Sequence, residues 1–344
     1  MYCILWSHQL RASHEFTMRE VPVSHRTSMS DMSGARHVVW SSEGCVAYLS
    51  PRPWTPGAVV VEPSAKSPEG GSVFDLAEAE LRILLLGARA VSRLLCQRLG
   101  VRRCALVTRP QPQRPPQVQV LPLHGLGAEW RPHLAADEEF NHMDPGYCTS
   151  KSAPCWSAER LDVLQATIRA ALPDPQAPPD HTFLGEDPAH PGLFSRIVRG
   201  EEQQWRVWED PGHVAFLTPF PNTPGLTVVV PRRPLSSDIF SLEEQDYVGL
   251  VQAARSTALL LRSTLGASAV AMIFEGFEID YAHAKLMPLF PPGPSRGGQC
   301  EANAAPFYST YPGFVSSQDG PEADEDTLAQ LHARITADHD SVEA

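Results

Sequence analysis

The chain contains one sequence unit twice, and this duplication constrains the fold more than any other feature. Residues 39–61 read VWSSEGCVAYLSPRPWTPGAVVV, and residues 207–229 read VWEDPGHVAFLTPFPNTPGLTVV. Thirteen of these 23 positions are identical at a constant offset of 168, whereas unrelated segments of ordinary composition share roughly one or two. Because a repeat of this length marks one folding unit used twice, any fold for the chain must accommodate two similar units.

The repeat extends beyond this segment and divides the chain. Pro-Gly-aromatic triplets at 145–147 and 312–314 mark the end of each copy, at an offset of 167. We therefore predict a first copy at 37–172 and a second copy at 193–338. Residues 1–36 are expected to form a flexible N-terminal tail, and the proline-rich segment 173–192 a linker.

Each copy has patterns of both strands and helices. Short apolar runs at 45–49, 58–61, 104–107 and 118–121 predict four strands in the first copy. A stripe of apolar residues at positions 81, 84, 85, 88, 91 and 95 predicts a long helix that ends at Gly100. The same order recurs in the second copy, with its last two strands expected at 270–273 and 282–287. Each copy is therefore predicted to be an α+β unit, an antiparallel sheet with a cross-over helix and a C-terminal helix.

Composition excludes several classes of function. The 344 residues carry a formal net charge of −12, so the chain lacks a broad basic surface for nucleic-acid polymers. The seven cysteines are scattered and contain no C-x-x-C pair, which indicates reduced thiols in a cytoplasmic protein. No apolar run approaches the roughly 20 residues that cross a bilayer. The expected partners are small molecules or proteins, with no membrane contact.

One short segment of the second copy places three polar side chains, including a histidine, in a row on one face of a predicted strand. Residues 281–290 read YAHAKLMPLF, and in a strand Tyr281, His283 and Lys285 point to one face. A solvated strand face with an incidental histidine would give the same pattern. The equivalent positions of the first copy hold no nucleophile; they are Pro115, Gln117 and Gln119.

The second copy resembles the histidine triad (HIT) family. The family signature is three histidines that alternate with apolar residues on the fourth strand, commonly followed by proline, and Y-x-H-x-K-L-x-P at 281–288 is similar to it. The P-x-x-P-G turn at 221–225 and the hairpin around it are also typical of the family. The first copy is similar but degenerate.

The resemblance implies a fold and a chemistry. The family consists of nucleotide-binding hydrolases and transferases, usually homodimers, so two copies in one chain are expected to pack as an intramolecular pseudo-dimer, an arrangement that would allow the chain to be a monomer. By position, His283 would attack the α-phosphate of a nucleotide. Lys285 would stabilise phosphoryl oxygens by its charge, and Tyr281 would donate one hydrogen bond.

The resemblance also implies a nucleoside pocket without a metal. Four residues align with the apolar residues that enclose the base in the family, namely Leu193, Phe194, Ile197 and Phe216, although a small core needs the same residues. Thr218 aligns with the position that contacts the ribose. Gly192 and Ser195 replace the cysteines that help bind zinc in other members, so neither a metal nor another cofactor is expected.

Three functions remain open from the sequence. The favoured function is a hydrolase of nucleotide phosphoramidates or pyrophosphates, or a nucleotidyl transferase, acting through a nucleotidyl-histidine intermediate. The alternatives are a nucleotide-binding pseudoenzyme and a structural interaction module. The acidic residues Glu275, Glu278 and Asp280 would repel a phosphate chain unless they bind a cation or face away.

Overall fold

The computed structural model describes residues 36–65, 69–111, 114–291 and 305–337. The predicted N-terminal tail, apart from Arg36, lies outside these residues. The fold is α+β, as predicted, with helices packed on an antiparallel sheet. The limits of the two copies and the linker remain predictions from the sequence.

The described part of the first copy contains strands and helices in the predicted order, preceded by one further strand. The elements are β1 (Val38–Ser41), β2 (Cys45–Leu49), β3 (Val59–Pro63), α1 (Glu78–Leu99), β4 (Cys104–Thr108), β5 (Val118–Pro122) and α2 (Ala158–Arg169).

The described part of the second copy repeats this order and adds a short helix at its start. The elements are α3 (Leu193–Arg199), β6 (Trp205–Glu209), β7 (His213–Leu217), β8 (Thr227–Pro231), α4 (Glu244–Leu265), β9 (Ala269–Phe274), β10 (Ala284–Leu289) and α5 (Glu325–Thr336).

The long helices form where the apolar stripe predicts them. In α1 every predicted stripe position is buried, and the helix ends at Gly100. Gly100 adopts a φ of 70°, the left-handed conformation that glycine adopts without steric cost and that commonly ends helices. Gly266 ends α4 in the same way, with a φ of 69°. No helix within the described ranges is long and apolar enough to cross a bilayer.

The last strand of the second copy starts later than the predicted range 282–287. The main-chain N–H of Ala282 donates to the carbonyl oxygen of Leu235 at 2.9 Å, outside the sheet. Pairing with β8 begins only at Ala284, which lies opposite Val229. His283 is therefore in the extended segment that leads into β10 and not in the strand itself.

All ten strands of the described chain belong to one antiparallel sheet. Their order is β1-β2-β3-β5-β4-β9-β10-β8-β7-β6. The strands of the first copy fill one half of the sheet, and the equivalent strands of the second copy fill the other half in reverse order. The copies meet where β4 pairs with β9, with Leu106 opposite Phe274 and Thr108 opposite Met272. The hydrogen-bonded ladder therefore continues from one copy into the other.

The two C-terminal helices are exchanged between the copies. Helix α2 of the first copy packs against β6 and α4 of the second, and α5 packs against β1 and α1 of the first. Trp205 Nε1 donates to Oδ1 of Asp162 at 2.7 Å, and Arg334 Nε donates to the carbonyl oxygen of Arg98 at 3.0 Å. Each copy thus depends on the other to cover its apolar surface.

The sheet has one helix-covered face and one face that carries loops and a short helix. Alternate residues of β10 show the division: Ala284 and Leu286 belong to the core under α1 and α4, whereas Met287 and Leu289 face the other way. On this second face two apolar clusters form. The central cluster includes Val107, Ile273, Phe277, Met287 and Phe314. The outer cluster includes Phe194, Ile197, Phe216, Val228 and Tyr281.

Candidate active site

The row of Tyr281, His283 and Lys285 lies on the sheet face opposite α4, and Tyr281 at its start belongs to the outer cluster. Its three residues are only 1%, 5% and 9% exposed. The interpretation as a solvated strand face is therefore wrong. Segments of both copies cover the row, which strand periodicity alone does not reveal.

His283 has a hydrogen-bond partner that defines its tautomer. Its Nδ1 lies 2.7 Å from the carbonyl oxygen of Tyr281. Because a carbonyl oxygen only accepts hydrogen bonds, Nδ1 carries the proton and donates it. Burial and, next, the positive charge of Lys285 lower the pKa of His283 to about 4. The ring is therefore neutral at physiological pH, with its lone pair on Nε2.

Lys285 is paired within the site. Its Nζ donates to Oε2 of Glu278 at 2.7 Å and to the carbonyl oxygen of Ser150 at 3.2 Å. Burial opposes the charged ammonium, but the carboxylates of Glu278 and Glu275 outweigh burial and raise the pKa of Lys285. Burial also opposes the charge of Glu278, yet Lys285 outweighs it and lowers the pKa of that carboxyl group. Both partners are charged at neutral pH.

The other two acidic residues of the loop between β9 and β10 have different environments. Glu275 is buried and accepts a hydrogen bond from the hydroxyl of Tyr311, and burial raises the pKa of Glu275. Asp280 is exposed and accepts a hydrogen bond from Ser237 Oγ at 2.5 Å. Among the described residues, no group of three or more His, Cys, Asp or Glu side chains could hold a metal ion.

Tyr281 contributes packing and a main-chain acceptor. Its ring lies 5.6 Å from the ring of Phe194, and its hydroxyl donates to the carbonyl oxygen of Pro231 at 2.9 Å. Burial raises the pKa of the phenol. Because its single O–H proton is already donated to Pro231, Tyr281 acts on His283 through its carbonyl oxygen.

The aligned nucleoside-pocket residues separate into two groups. Phe194, Ile197 and Phe216 are buried in the outer cluster, where the edge of Phe194 approaches His283 with ring centroids 5.4 Å apart. Leu193 is 39% exposed at the start of α3. Thr218 is half-buried, and its Oγ1 accepts a hydrogen bond from the main-chain N–H of Phe220 at 3.2 Å.

A cavity of about 420 Å³ lies beside the acidic loop but not at His283. Phe277, the residue before Glu278, lines it together with part of the first-copy loop at 125–133. None of the predicted site residues lines this cavity.

Known proteins with similar sequences support a family assignment. A HIT-like protein from Mesomycoplasma hyorhinis is 29% identical over 103 residues, which are 28% of this chain and 92% of that protein. A HIT-like protein from Saccharolobus solfataricus is 27% identical over 107 residues, 30% of this chain and 76% of that protein. Both similarities support assigning this chain to the HIT family. No family model matches it.

Two solved uridylyltransferase structures align with most of the chain. One of them aligns with 91% of this chain and 93% of its own chain, at 15% identity and a TM-score of 0.43. A HIT-like protein involved in cell-cycle regulation from Bartonella henselae aligns with 43% of this chain and 95% of its own, at 18% identity and a TM-score of 0.27.

Sequence reasoning missed the contribution of Ser150 to the candidate site. Ser150 is 135 residues from Lys285 along the chain, and no pattern within the second copy points to it. Its segment pairs with the equivalent end segment of the second copy, where Thr149 lies opposite Ser316. The repeated Pro-Gly-aromatic triplets that precede both segments were the available signal.

Proposed function

We propose that the second copy binds a nucleotide conjugate and that His283 transfers its nucleotidyl group to water or to another acceptor. The observation that carries this proposal is the hydrogen bond from Nδ1 of His283 to the Tyr281 carbonyl oxygen. It leaves the Nε2 lone pair of a neutral ring available as a nucleophile. The similarity of this chain to HIT-like proteins is a second support for the proposal.

The reaction would proceed in two displacements at the α-phosphorus. Nε2 forms a bond to phosphorus while the bond to the leaving group breaks, and solvent protonates the leaving group. Because Nδ1 keeps its proton, the nucleotidylated ring is a cation, which makes Nε2 a good leaving group in the second step. Water or an acceptor hydroxyl then forms its bond to phosphorus while the bond from Nε2 to phosphorus breaks. The proton of the water or hydroxyl passes to solvent, and neutral His283 is regenerated.

Lys285 would stabilise the charge that develops on the phosphoryl oxygens. An ammonium fixed in a poorly hydrated site stabilises such charge far better than one in bulk water. Tyr281 would orient the imidazole, and Phe194 and Phe216 would border the nucleoside. Leu193, Ile197 and Thr218 complete the proposed nucleotide-binding set, with Thr218 nearest to the ribose.

One observation favours a second candidate, a nucleotide-binding pseudoenzyme. Lys285 and Glu278 already neutralise each other at 2.7 Å, and neither is a ready proton donor at neutral pH. A protein of this kind would bind nucleotides without turning them over.

Turnover of a substrate panel distinguishes the two candidates. We expect nucleoside phosphoramidates, dinucleoside polyphosphates or nucleotide sugars to be cleaved by the wild-type chain and His283→Ala to lose at least about 10³-fold in rate. The matched control is Gln117→Ala, at the equivalent position of the first copy, which we expect to keep the wild-type rate. Nucleotide binding without turnover, equal in wild type and His283→Ala, would establish the pseudoenzyme instead.

A further inference from the structure

The environment of Glu278 extends the proposed function. We propose that the Glu278 carboxylate occupies the place beside Lys285 that a phosphate of the ligand takes, so that an anionic ligand binds by displacing it. This inference rests on the proposed use of Lys285 as the phosphate-binding cation. Glu278 would then be an internal competitor that determines how tightly the site binds phosphates.

The contact itself has the geometry that a phosphate oxygen would adopt. Glu278 Oε2 accepts a charge-assisted hydrogen bond from Lys285 Nζ at 2.7 Å, the usual length for an ammonium with either a carboxylate or a phosphate. A carboxylate and a phosphate both present anionic oxygens, but Lys285 cannot hold both at one position without strong repulsion between them. Binding of phosphate there requires Glu278 to leave.

The two partners differ in their access to solvent. The side chain of Glu278 is 34% exposed, whereas that of Lys285 is 11% exposed. Glu278 lies in the irregular segment between β9 and β10, while Lys285 is within β10 and pairs with Val228 and Ile273. The carboxylate can therefore turn towards water more readily than the ammonium can.

Lys285 keeps other contacts when Glu278 is displaced. Its Nζ also donates to the carbonyl oxygen of Ser150 at 3.2 Å. Two hydrogen bonds to Val315 hold Ser150 in place. The main-chain N–H of Ser150 donates to the carbonyl oxygen of Val315 at 3.0 Å, and the main-chain N–H of Val315 donates to Oγ of Ser150 at 2.9 Å. The first copy thus supplies an anchor that holds the ammonium in position for an incoming phosphate.

A role for Glu278 as the proton donor to the leaving group fits these observations less well. Lys285 holds the pKa of Glu278 below its ordinary value, so the carboxyl group carries no proton to deliver at neutral pH. As a tethered anion, by contrast, it competes with free ligands at an effective concentration of the order of millimolar or above.

The test compares Glu278→Gln with wild type in the full chain, by calorimetric titration with inorganic pyrophosphate and with AMP. We expect Glu278→Gln to bind pyrophosphate at least about tenfold more tightly, because the competing anion is removed. Asp280→Asn is the matched control, since it removes the same charge from an exposed position of the same loop. It should change the dissociation constant by less than about twofold.

The outcomes separate this inference from the proposed function. Tighter pyrophosphate binding without any binding of AMP supports the displaceable carboxylate and argues against the nucleotide site. Turnover of nucleotides with no tightening in Glu278→Gln, or equal tightening in Asp280→Asn, overturns the inference and leaves the proposed function intact. Loss of turnover at unchanged affinity also overturns it, because Glu278 would then act in the chemistry.

A second measurement applies if Glu278→Gln fails to fold. In the wild-type chain, the carboxyl ¹³C resonance of Glu278 should move towards that of a solvated glutamate as pyrophosphate saturates the site. A resonance that stays unchanged at saturation, or the absence of any saturable binding, would overturn the inference.

Discussion

At the scale of single residues, burial determines the protonation state of His283. A solvated histidine has a pKa near 6.5, but burial, followed by the charge of Lys285, lowers the pKa of His283 to about 4. Between these two values the unfolded chain binds a proton that the folded chain excludes. Folding stability therefore rises with pH across this window and is reduced as pH falls from 6.5 towards 4.

This linkage predicts a pH effect that His283→Gln removes. Acidification from pH 7 to pH 4 should cost wild type up to about 3 kcal/mol more in free energy of unfolding than it costs His283→Gln. Urea unfolding at both pH values measures the difference. His142→Gln, at an exposed histidine, is the control and should behave as wild type. Equal pH dependence in wild type and His283→Gln would show that His283 titrates normally in the folded chain.

The sequence identified His283 and Lys285 but not the arrangement around them. Alternation along 281–285 placed both side chains on one face, and the structure agrees. The pairing of Lys285 with Glu278 depends on the path of an irregular loop, and the contact with Ser150 depends on the packing of two copies. Neither local propensity nor spacing determines those contacts.

At the level of secondary structure, the sequence predicted where the helices form but not which copy each C-terminal helix packs against. The apolar stripe and Gly100 predicted α1 because helix periodicity and a glycine C-cap act locally. The partner of α2 was not predictable, since its buried residues Leu161 and Ile168 would fit an apolar groove on either copy. The structure places α2 on β6 and α4 of the second copy.

Because each C-terminal helix packs on the other copy, a cavity in that helix should destabilise the elements of the other copy. Ile168→Ala in α2 and Ile335→Ala in α5 remove equivalent, fully buried side chains, and each should cost about 2–5 kcal/mol. Hydrogen–deuterium exchange should show lost protection in β6 and α4 for Ile168→Ala, and in β1 and α1 for Ile335→Ala. The two variants control for each other, and loss confined to the variant's own copy would contradict the exchange.

At the level of the whole molecule, the first copy contacts the candidate site although it has no histidine at the equivalent position. Gln117 and Gln119 stand at the positions equivalent to His283 and Lys285, so the first copy offers no second nucleophile there. It instead continues the sheet through β4, covers the second copy with α2, and presents the Ser150 carbonyl to Lys285. These contacts give a physical reason for a chain in which only one copy keeps the reactive side chain.

In the proposed mechanism, His283 forms a covalent bond to a nucleotidyl group. The most direct measurement is intact-mass spectrometry after brief incubation with a nucleoside 5′-phosphoramidate and quenching at alkaline pH, which preserves a phosphorus–imidazole bond. We predict a mass increase of one nucleotidyl group in wild type and in Gln117→Ala, located at His283 by peptide sequencing, and none in His283→Ala. Turnover with no adduct at His283, or turnover that persists in His283→Ala, would contradict the proposed mechanism.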